Sequence, residues 1–445
     1  MAKASVSAAR AFAQSAGAKL LVVGLNAATG ILSARALQPA GRGELAAMIL
    51  WYVFLASTFT FGVPSALTYQ LRKNPDRRSE ILGAAVTLGL LTAVLAMAIG
   101  FIGMPHWLAQ YDPRVIFFAR LFLLNTPISA LFLIGRAALE SDNDFTSSNV
   151  SLIGPPLVTV IVLAVLWMLH RLDPVTAAWA YVPAGLPSFY LMIRQLHRRF
   201  QIRFSNLIRN AKLLMSYGIR SYGIDLCGTM ALYVDQALVI RILKPEMMGT
   251  YVVALSLSRM LNALHTAVVM VLFPKAVSAK PEEIMEMTGR AARLTTFFTA
   301  VCGLGIVLIG PQLLSLFYGT EYRSASSILR ILVVEVVLSG ATLVLSQAFM
   351  ALSRPGIVTI LHVIGLGLTI PLMLVLVPRW GTTGAAWALL LSTCARFSFV
   401  MFSFRKFLGF PCPRILLKLS DLQMIRGMLL KRLRRSRTNI VEASI

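Results

Sequence analysis

The sequence predicts an all-α membrane protein with about twelve transmembrane helices, and three observations predict it. Hydrophobic residues make up 57% of the chain and charged residues only 13%, and the mean hydropathy is +0.74. That composition is far more apolar than the composition of an ordinary soluble domain. The other two observations are a succession of apolar stretches of spanning length and the alternation of basic and weakly charged connections between them.

Each apolar stretch is long enough to cross the hydrocarbon core of a bilayer, which takes roughly 20 helical residues. The stretches cover about 13–36, 45–71, 81–104, 115–139, 150–169, 175–193, 213–240, 249–273, 292–317, 326–351, 356–377 and 383–404. Because the number of spans is even, both termini are expected on the same side of the membrane.

Basic residues are concentrated in alternate connections. Lys and Arg number 42 against 18 Asp and Glu, which gives a formal net charge of +24. The basic connections are 72–78, 194–212, 275–290 and the tail from 405, whereas 39–43, 105–114, 171–174, 244–248, 319–323 and 378–380 are short and carry few charges. The positive-inside rule therefore predicts cytoplasmic termini, with the acidic loop 140–144 as the exception. Because the basic clusters lie between apolar runs, they indicate membrane anchoring and not nucleic-acid binding.

A repeated motif divides the chain into two halves. Arg35 to Pro39 with Gly43 has the spacing R-x-L-x-P-x-x-x-G, which recurs from Arg241 to Pro245 with Gly249, and the tetrapeptide Ala-Ala-Trp-Ala occurs at 177–180 and again at 385–388. The repeat predicts two six-helix bundles of like orientation, related by a pseudo-twofold axis along the membrane normal. The predicted boundaries are 1–194 for the N-terminal bundle, 195–212 for a basic cytoplasmic linker, 213–406 for the C-terminal bundle and 407–445 for a basic cytoplasmic tail.

Several ionisable residues lie inside predicted spans, where each costs roughly 2.5 to 3.5 kcal/mol unless it faces a partner or a hydrated cavity. They are Arg120, Arg259, Arg330 and Arg396, with the acidic residues Asp225, Asp235 and Glu335. The surplus of arginine suggests a cavity that receives an anionic ligand, with phosphate as the obvious candidate. We therefore predict the four arginines as substrate-binding residues and the three acidic residues as candidates for coupling to H+ or Na+.

Structural roles compete with these assignments. Arg120 and Arg330 lie about five residues from an outer boundary, so they could instead be interfacial anchors. Asp235 could pair with Arg241 or Lys244 near the outer end of its span. For Asp225 and Glu335, a salt bridge to Arg259 or Arg330 is an equal alternative.

The sequence gives little support to catalysis. It contains no Walker motif and no H-E-x-x-H, and its outer loops are too short for the exposed constellation of a membrane glycosyltransferase. The four cysteines have neither disulfide nor zinc-ligand spacing. We expect no catalytic residue, metal or cofactor, and a gradient or passive process as the driving force.

Several strings, taken in order, are typical of one family. They are Ala34 to Leu37 with Gly41 to Leu45 after span one, Asp235-Gln236 and Met248 to Ala254 at spans seven and eight, Leu272 to Pro274 at the end of span eight, and Gly381 to Ala386 before span twelve. Over nearly its whole length the chain resembles the polysaccharide exporter, or oligosaccharide flippase, branch of the multidrug/oligosaccharidyl-lipid/polysaccharide (MOP) superfamily.

This resemblance implies a V-shaped pair of six-helix bundles that moves an undecaprenyl-pyrophosphate-linked oligosaccharide to the outer leaflet of a bacterial plasma membrane. It also implies an arginine-bearing central cavity, membrane lipids as surroundings, and a polysaccharide polymerase or glycosyltransferase as a possible partner. Two alternatives are also compatible with the sequence: a cation-coupled drug antiporter of the same fold, and a non-transporting membrane component of a glycan pathway.

Overall fold

The computed structural model describes residues 2–277, 279–411, 413–415 and 417, and these residues are helical almost throughout, with no strand among them. The predicted all-α fold is confirmed. The main helices are α1 (Ala2–Thr58), α2 (Val63–Lys73), α3 (Arg78–Trp107), α4 (Pro113–Phe122), α5 (Thr126–Ser141), α6 (Phe145–Met168), α7 (Pro174–Ala184), α8 (Leu186–Phe200), α9 (Leu207–Ile242), α10 (Pro245–Arg259), α11 (Asn262–Val277), α12 (Pro281–Leu308), α13 (Gly310–Phe317), α14 (Ser326–Ala351) and α15 (Pro355–Ser403). Most of the predicted basic tail lies outside the described residues.

Nine helical stretches of the described chain are long and apolar enough to cross a membrane. Two of them contain a break, at Gln38 in α1 and at Gly381 in α15. The chain folds back around Gly381, since a Cβ added to Gly384 would overlap the carbonyl oxygen of Leu376. Helices α7 and α8, separated at Gly185, together form one further crossing. The predicted number of about twelve crossings is therefore reached.

The acidic loop 140–144, which departs from the positive-inside pattern, forms ion pairs with basic connections at one end of the molecule. We call this end the inner end. Asp142 pairs with Arg78 at 3.0 Å and with Arg199 at 2.8 Å, and Asp144 pairs with Arg199 at 2.9 Å. The loop between α5 and α6 is thus acidic because it binds guanidinium groups from the connections before α3 and at the end of α8.

Asp144 also gives a pH-dependent prediction. Burial by itself raises the pKa of this carboxyl, but hydrogen bonds from Ser147 and Gln195 and the charge of Arg199 hold the pKa below its ordinary value. A carboxyl with a lowered pKa stabilises the fold above its unfolded pKa, about 3.9, and this contribution is lost as the pH falls through the folded-state value. We expect Asp144→Asn to lower the melting temperature at neutral pH, and the difference from wild type to shrink below about pH 4.

Thermal unfolding of both proteins across this pH range measures the effect. The matched control is Asp76→Asn, because Asp76 is an exposed acidic residue of another connection at the same end. Equal melting temperatures for wild type and Asp144→Asn at neutral pH would contradict the assignment.

The short connections meet at the opposite end, which we call the outer end. Arg35 donates hydrogen bonds to the carbonyl groups of Leu316 and Phe317 at the end of α13. Arg114, at the start of α4, lies 3.7 Å from Asp173, which caps α7. Basic and weakly charged connections therefore occupy opposite ends of the structure, as the alternation in the sequence predicts.

The two copies of the repeated motif contact each other at the outer end. A Cβ added to Gly43 would overlap the carbonyl oxygen of Pro245, and a Cβ added to Gly249 would overlap the carbonyl oxygen of Pro39. The proline of each copy therefore packs on the glycine of the other, where only glycine allows so close a backbone approach. This reciprocal contact, which we call the outer crossing, joins the second segment of α1 to α10.

Most helices on each side of residues 201–206 pack mainly against helices of their own side, except that α10 packs most extensively on α1 and α9 packs on α1, α2 and α3 as well as on α15. In the first group α1 packs against α4 to α7, and in the second α14 packs against α10 to α12 and α15. The two groups meet where α1 packs on α10 and where α2 and α3 pack on α9. The bundle boundaries at 1–194 and 213–406 remain a prediction that these contacts support.

Candidate functional site

Four of the seven predicted site residues line one polar cavity, which we call the C-terminal cavity. It has a volume of about 430 Å³ and lies between α9, α10, α14 and α15. Each of these helices contributes one charged side chain, namely Asp235, Arg259, Glu335 and Arg396 in chain order. Residues up to 161 positions apart are thus brought together by the packing of the second group of helices.

Each arginine of the C-terminal cavity has a carboxylate beside it. Arg259 lies 3.0 Å from Asp235, which also accepts a hydrogen bond from the Tyr251 hydroxyl at 3.0 Å. Asp235 is only 1% exposed, and its partner is Arg259 and not Arg241 or Lys244, which the sequence suggested. Arg396 lies 3.9 Å from Glu335.

Thr393 joins the second pair more closely. Arg396 donates a hydrogen bond to the Thr393 hydroxyl at 2.7 Å, and that hydroxyl donates to Glu335 at 2.8 Å. With two guanidinium groups and two carboxylates, the C-terminal cavity is formally neutral. The expectation of a cationic cavity, drawn from the count of intramembrane arginines, does not hold for this cavity, because the acidic candidates are the partners of the arginines.

The Asp235 pair predicts a measurable loss of stability. Removing one partner of a buried ion pair leaves an uncompensated charge and costs about 3–5 kcal/mol, whereas removing both partners costs less. We expect Asp235→Asn to lower the melting temperature in detergent more than the double replacement Asp235→Asn with Arg259→Met. The opposite order in thermal unfolding would show that Asp235 does not stabilise the Arg259 guanidinium.

The remaining predicted residues lie elsewhere. Asp225, on α9, accepts a hydrogen bond from the Ser65 hydroxyl on α2 at 2.8 Å and is not among the lining residues of the C-terminal cavity. Arg120 lines a separate groove between α3 and α4. Arg330 is exposed near the start of α14. The structure thus does not bring Arg120 or Arg330 to Arg259 and Arg396.

A second cavity opens between α1, α5 and α6 on one side and α10 and α11 on the other, and we call it the lateral cleft. Its volume is about 380 Å³, and its lining is mostly apolar. The charged residues of this lining are Lys19, Arg136 and Arg259, without a carboxylate among them. Arg259 lines both cavities.

The three cations of the lateral cleft differ in their partners. Arg136 lies 3.1 Å from Glu140, and Arg259 is paired with Asp235. Lys19 is exposed and has no acidic partner in the part of the chain that the structure describes. The excess positive charge of the cleft therefore comes from Lys19, while the charge of each arginine is balanced by its carboxylate partner.

Sequence reasoning missed Lys19 and Arg136. Both lie near the inner ends of predicted spans, where a basic residue is ordinary. Ser15 and Asn149, which are hydrogen-bonded at 3.3 Å, place the start of the first span against α6. Only the packing of these helices next to α10 and α11 shows that Lys19 and Arg136 face the same cleft as Arg259.

The fold is shared with known transporters. The lipid II flippase MurJ, in an inward closed conformation, matches with a TM-score of 0.76 and 15% identity over 87% of this chain and 86% of that chain. An inward-facing multidrug resistance MATE transporter matches with a TM-score of 0.68 and 15% identity over 86% and 94%. A MOP superfamily transporter from Pyrococcus furiosus matches with a TM-score of 0.62 and 15% identity over 90% and 95%. The protein is a multi-pass membrane protein with the fold of these transporters.

The family is shown by sequence. A family model described as polysaccharide biosynthesis protein matches residues 32–327, and the chain belongs to that family. A probable low-salt glycan biosynthesis flippase from Haloferax volcanii is 25% identical over 188 residues, which are 41% of this chain and 40% of that protein. The chain thus matches less than half of the length of that relative. These relatives are described as flippases or transporters and not as enzymes.

Proposed function

We propose that the protein moves an undecaprenyl-diphosphate-linked oligosaccharide from the cytoplasmic to the outer leaflet of a bacterial plasma membrane, for the synthesis of a surface polysaccharide. The observation that carries the proposal is the lateral cleft, which combines three cationic side chains with an apolar lining. Guanidinium and ammonium groups bind phosphate oxygens through charge-assisted hydrogen bonds. The exposed side chains of Leu20 and Val23 and the nearby Met270 offer an apolar surface to the prenyl chain.

The position of the cleft supports entry from the inner side. Ser15 lies at the inner end and Pro39 at the outer crossing, so the lining residues 16–23 belong to the inner half of the first span. The outer crossing closes the opposite end by direct backbone contact. A cleft that is open at the inner half and closed at the outer end is one of the two states that alternating access requires.

Arg259 links the cleft to the C-terminal cavity and suggests how the cargo is coupled to an ion. A diphosphate that binds Arg259 competes with Asp235 for the same guanidinium. The carboxylate that is released needs a new positive partner, which H+ or Na+ provides. Asp235 and Glu335 are therefore the coupling residues that we favour, with Asp225 as a further candidate outside the C-terminal cavity.

Purified protein in liposomes tests the proposed function against its rivals. We expect flipping of a fluorescent lipid-linked oligosaccharide between the leaflets, measured by quenching of the accessible label. Uptake of a cationic dye without flipping would support a drug antiporter, and neither activity would support a non-transporting component of the glycan pathway. A polymerase or glycosyltransferase partner would be detected by co-purification from the native membrane.

A further inference from the structure

A groove between α3 and α4 combines apolar walls with one guanidinium. Its volume of about 580 Å³ lies within the range of roughly 300–1,000 Å³ that is typical of small-molecule sites. Phe101 and Ile102 of α3 and Phe117 of α4 line the groove and are more than half exposed. Arg120 is the charged residue of this lining. The groove is therefore suited to a molecule with an apolar chain and an anionic group.

The guanidinium of Arg120 is fixed at the groove by a feature of α3. Pro105 has no N–H, so the carbonyl of Phe101 lacks its usual helical donor. Arg120 Nε donates a hydrogen bond to this carbonyl at 3.1 Å, and the guanidinium lies 4.7 Å from the centre of the Phe101 ring. The two terminal nitrogens of Arg120 have no hydrogen-bond or ion-pair partner among the described residues. They remain available to an anion.

Arg120 lies in the last turn of α4, below the outer end of the helix. Helix α4 begins at Pro113, at the outer end, so Arg120 lies about 10 Å below that end at a rise of 1.5 Å per residue. Because Nε is bound to α3, the side chain does not extend freely to the surface. An anionic group that meets the terminal nitrogens must itself reach slightly into the groove.

We propose that this groove binds one anionic phospholipid of the outer leaflet, with its phosphate on the terminal nitrogens of Arg120 and an acyl chain along Phe101 and Phe117. Arginine binds phosphate in a bidentate manner, and stacking on an aromatic ring orients its planar group. An anionic lipid is favoured over a zwitterionic one. The headgroup of a zwitterionic phospholipid carries an ammonium group, and the lining of the groove offers no carboxylate to bind it. The site is distinct from the lateral cleft and does not depend on the identity of the cargo.

Native mass spectrometry of the purified full chain, in detergent with equal amounts of phosphatidylglycerol and phosphatidylcholine, tests the proposal. We expect wild type to retain phosphatidylglycerol preferentially. Arg120→Gln should reduce that retention about tenfold or more, as expected for the loss of a charge-assisted hydrogen bond. Ala98→Trp keeps Arg120 but fills the groove, and it should reduce retention to a similar degree.

The matched control is Arg330→Gln, since Arg330 is also an arginine near the outer end of a helix but is exposed and does not line the groove. Retention should be unchanged in this variant. Three results would each overturn the proposal: Arg120→Gln or Ala98→Trp retaining lipid like wild type, Arg330→Gln losing as much lipid as Arg120→Gln, or wild type retaining both lipids equally. Gel filtration and thermal unfolding confirm that each variant is folded.

Discussion

Alanine at Gly43 or Gly249 is expected to slow translocation strongly while the protein stays folded. In a helix, Gly→Ala normally stabilises by about 0.5–1 kcal/mol, so the added methyl group is harmless unless it meets another atom. At both positions it meets the proline carbonyl of the other copy of the motif. Overpacking costs about 1–3 kcal/mol. The added methyl group meets the proline carbonyl only when the outer crossing is closed, so it destabilises the closed state and not the open one. The balance between closed and open outer ends should therefore shift by about 5- to 150-fold toward the open state.

Two measurements check this expectation. The flipping rate in liposomes should fall, and the distance between spin labels at the exposed positions Ala40 and Met247 should lengthen in each alanine variant. The control is Gly305→Ala in α12, because a Cβ at Gly305 meets no atom within 4 Å. If Gly43→Ala and Gly249→Ala have the same flipping rate and the same spin-label distance as Gly305→Ala, the outer crossing does not open and close during transport.

Removing the charge of Lys19 is expected to have the second large effect. A hydrogen bond to a charged group contributes about 1.5–3 kcal/mol, so Lys19→Gln should weaken cargo binding by about 10- to 150-fold. Lys19 is a cleaner target than Arg259, because its replacement leaves no described carboxylate without a partner. Lys19→Arg keeps the charge and should retain most of the transport. Flipping rates at several cargo concentrations separate weaker binding from slower movement.

The dependence of cargo binding on salt concentration, together with a control at another basic residue, completes the test of Lys19. Wild-type binding should weaken as ionic strength rises, and Lys19→Gln should show a smaller dependence. The control is Arg323→Gln, which removes an exposed basic residue at the outer end. It should change neither the affinity for the cargo nor the dependence of that affinity on ionic strength. Normal transport by Lys19→Gln would contradict the assignment of the lateral cleft as the headgroup site.

The fold could be predicted from the sequence because hydropathy and basic loops are local signals. The twelve stretches, their alternation and the repeat of R-x-L-x-P-x-x-x-G each follow from a few residues, and the structure adds that the two copies of the repeat touch. The breaks at Gln38 and Gly381 fall between predicted spans, each one residue outside the predicted connections 39–43 and 378–380. Fold prediction succeeds here because a long apolar segment that crosses a bilayer as a helix satisfies all its backbone hydrogen bonds within the segment.

The site could be predicted only in part, because pairing between helices is not a local signal. Arg259 and Arg396 were recognised as unusual inside a span, but nothing in the sequence shows that Asp235 and Glu335 lie 3.0 Å and 3.9 Å from them. The count of intramembrane arginines therefore overestimated the free positive charge of the C-terminal cavity. Lys19 was missed for the opposite reason: it resembles a boundary residue until α11 is seen beside it.

The most direct test of the central claim compares three ligands that share one prenyl chain. Undecaprenyl diphosphate, undecaprenyl monophosphate and undecaprenol are titrated into wild-type protein and Lys19→Gln, and the bound fractions are measured by native mass spectrometry. The lateral cleft as headgroup site predicts the tightest binding for the diphosphate and the weakest for the alcohol, with the difference reduced in Lys19→Gln. Equal binding of all three ligands would show that the cleft does not recognise the phosphate groups. The same conclusion would follow if wild type and Lys19→Gln showed the same order of affinities and the same differences between them.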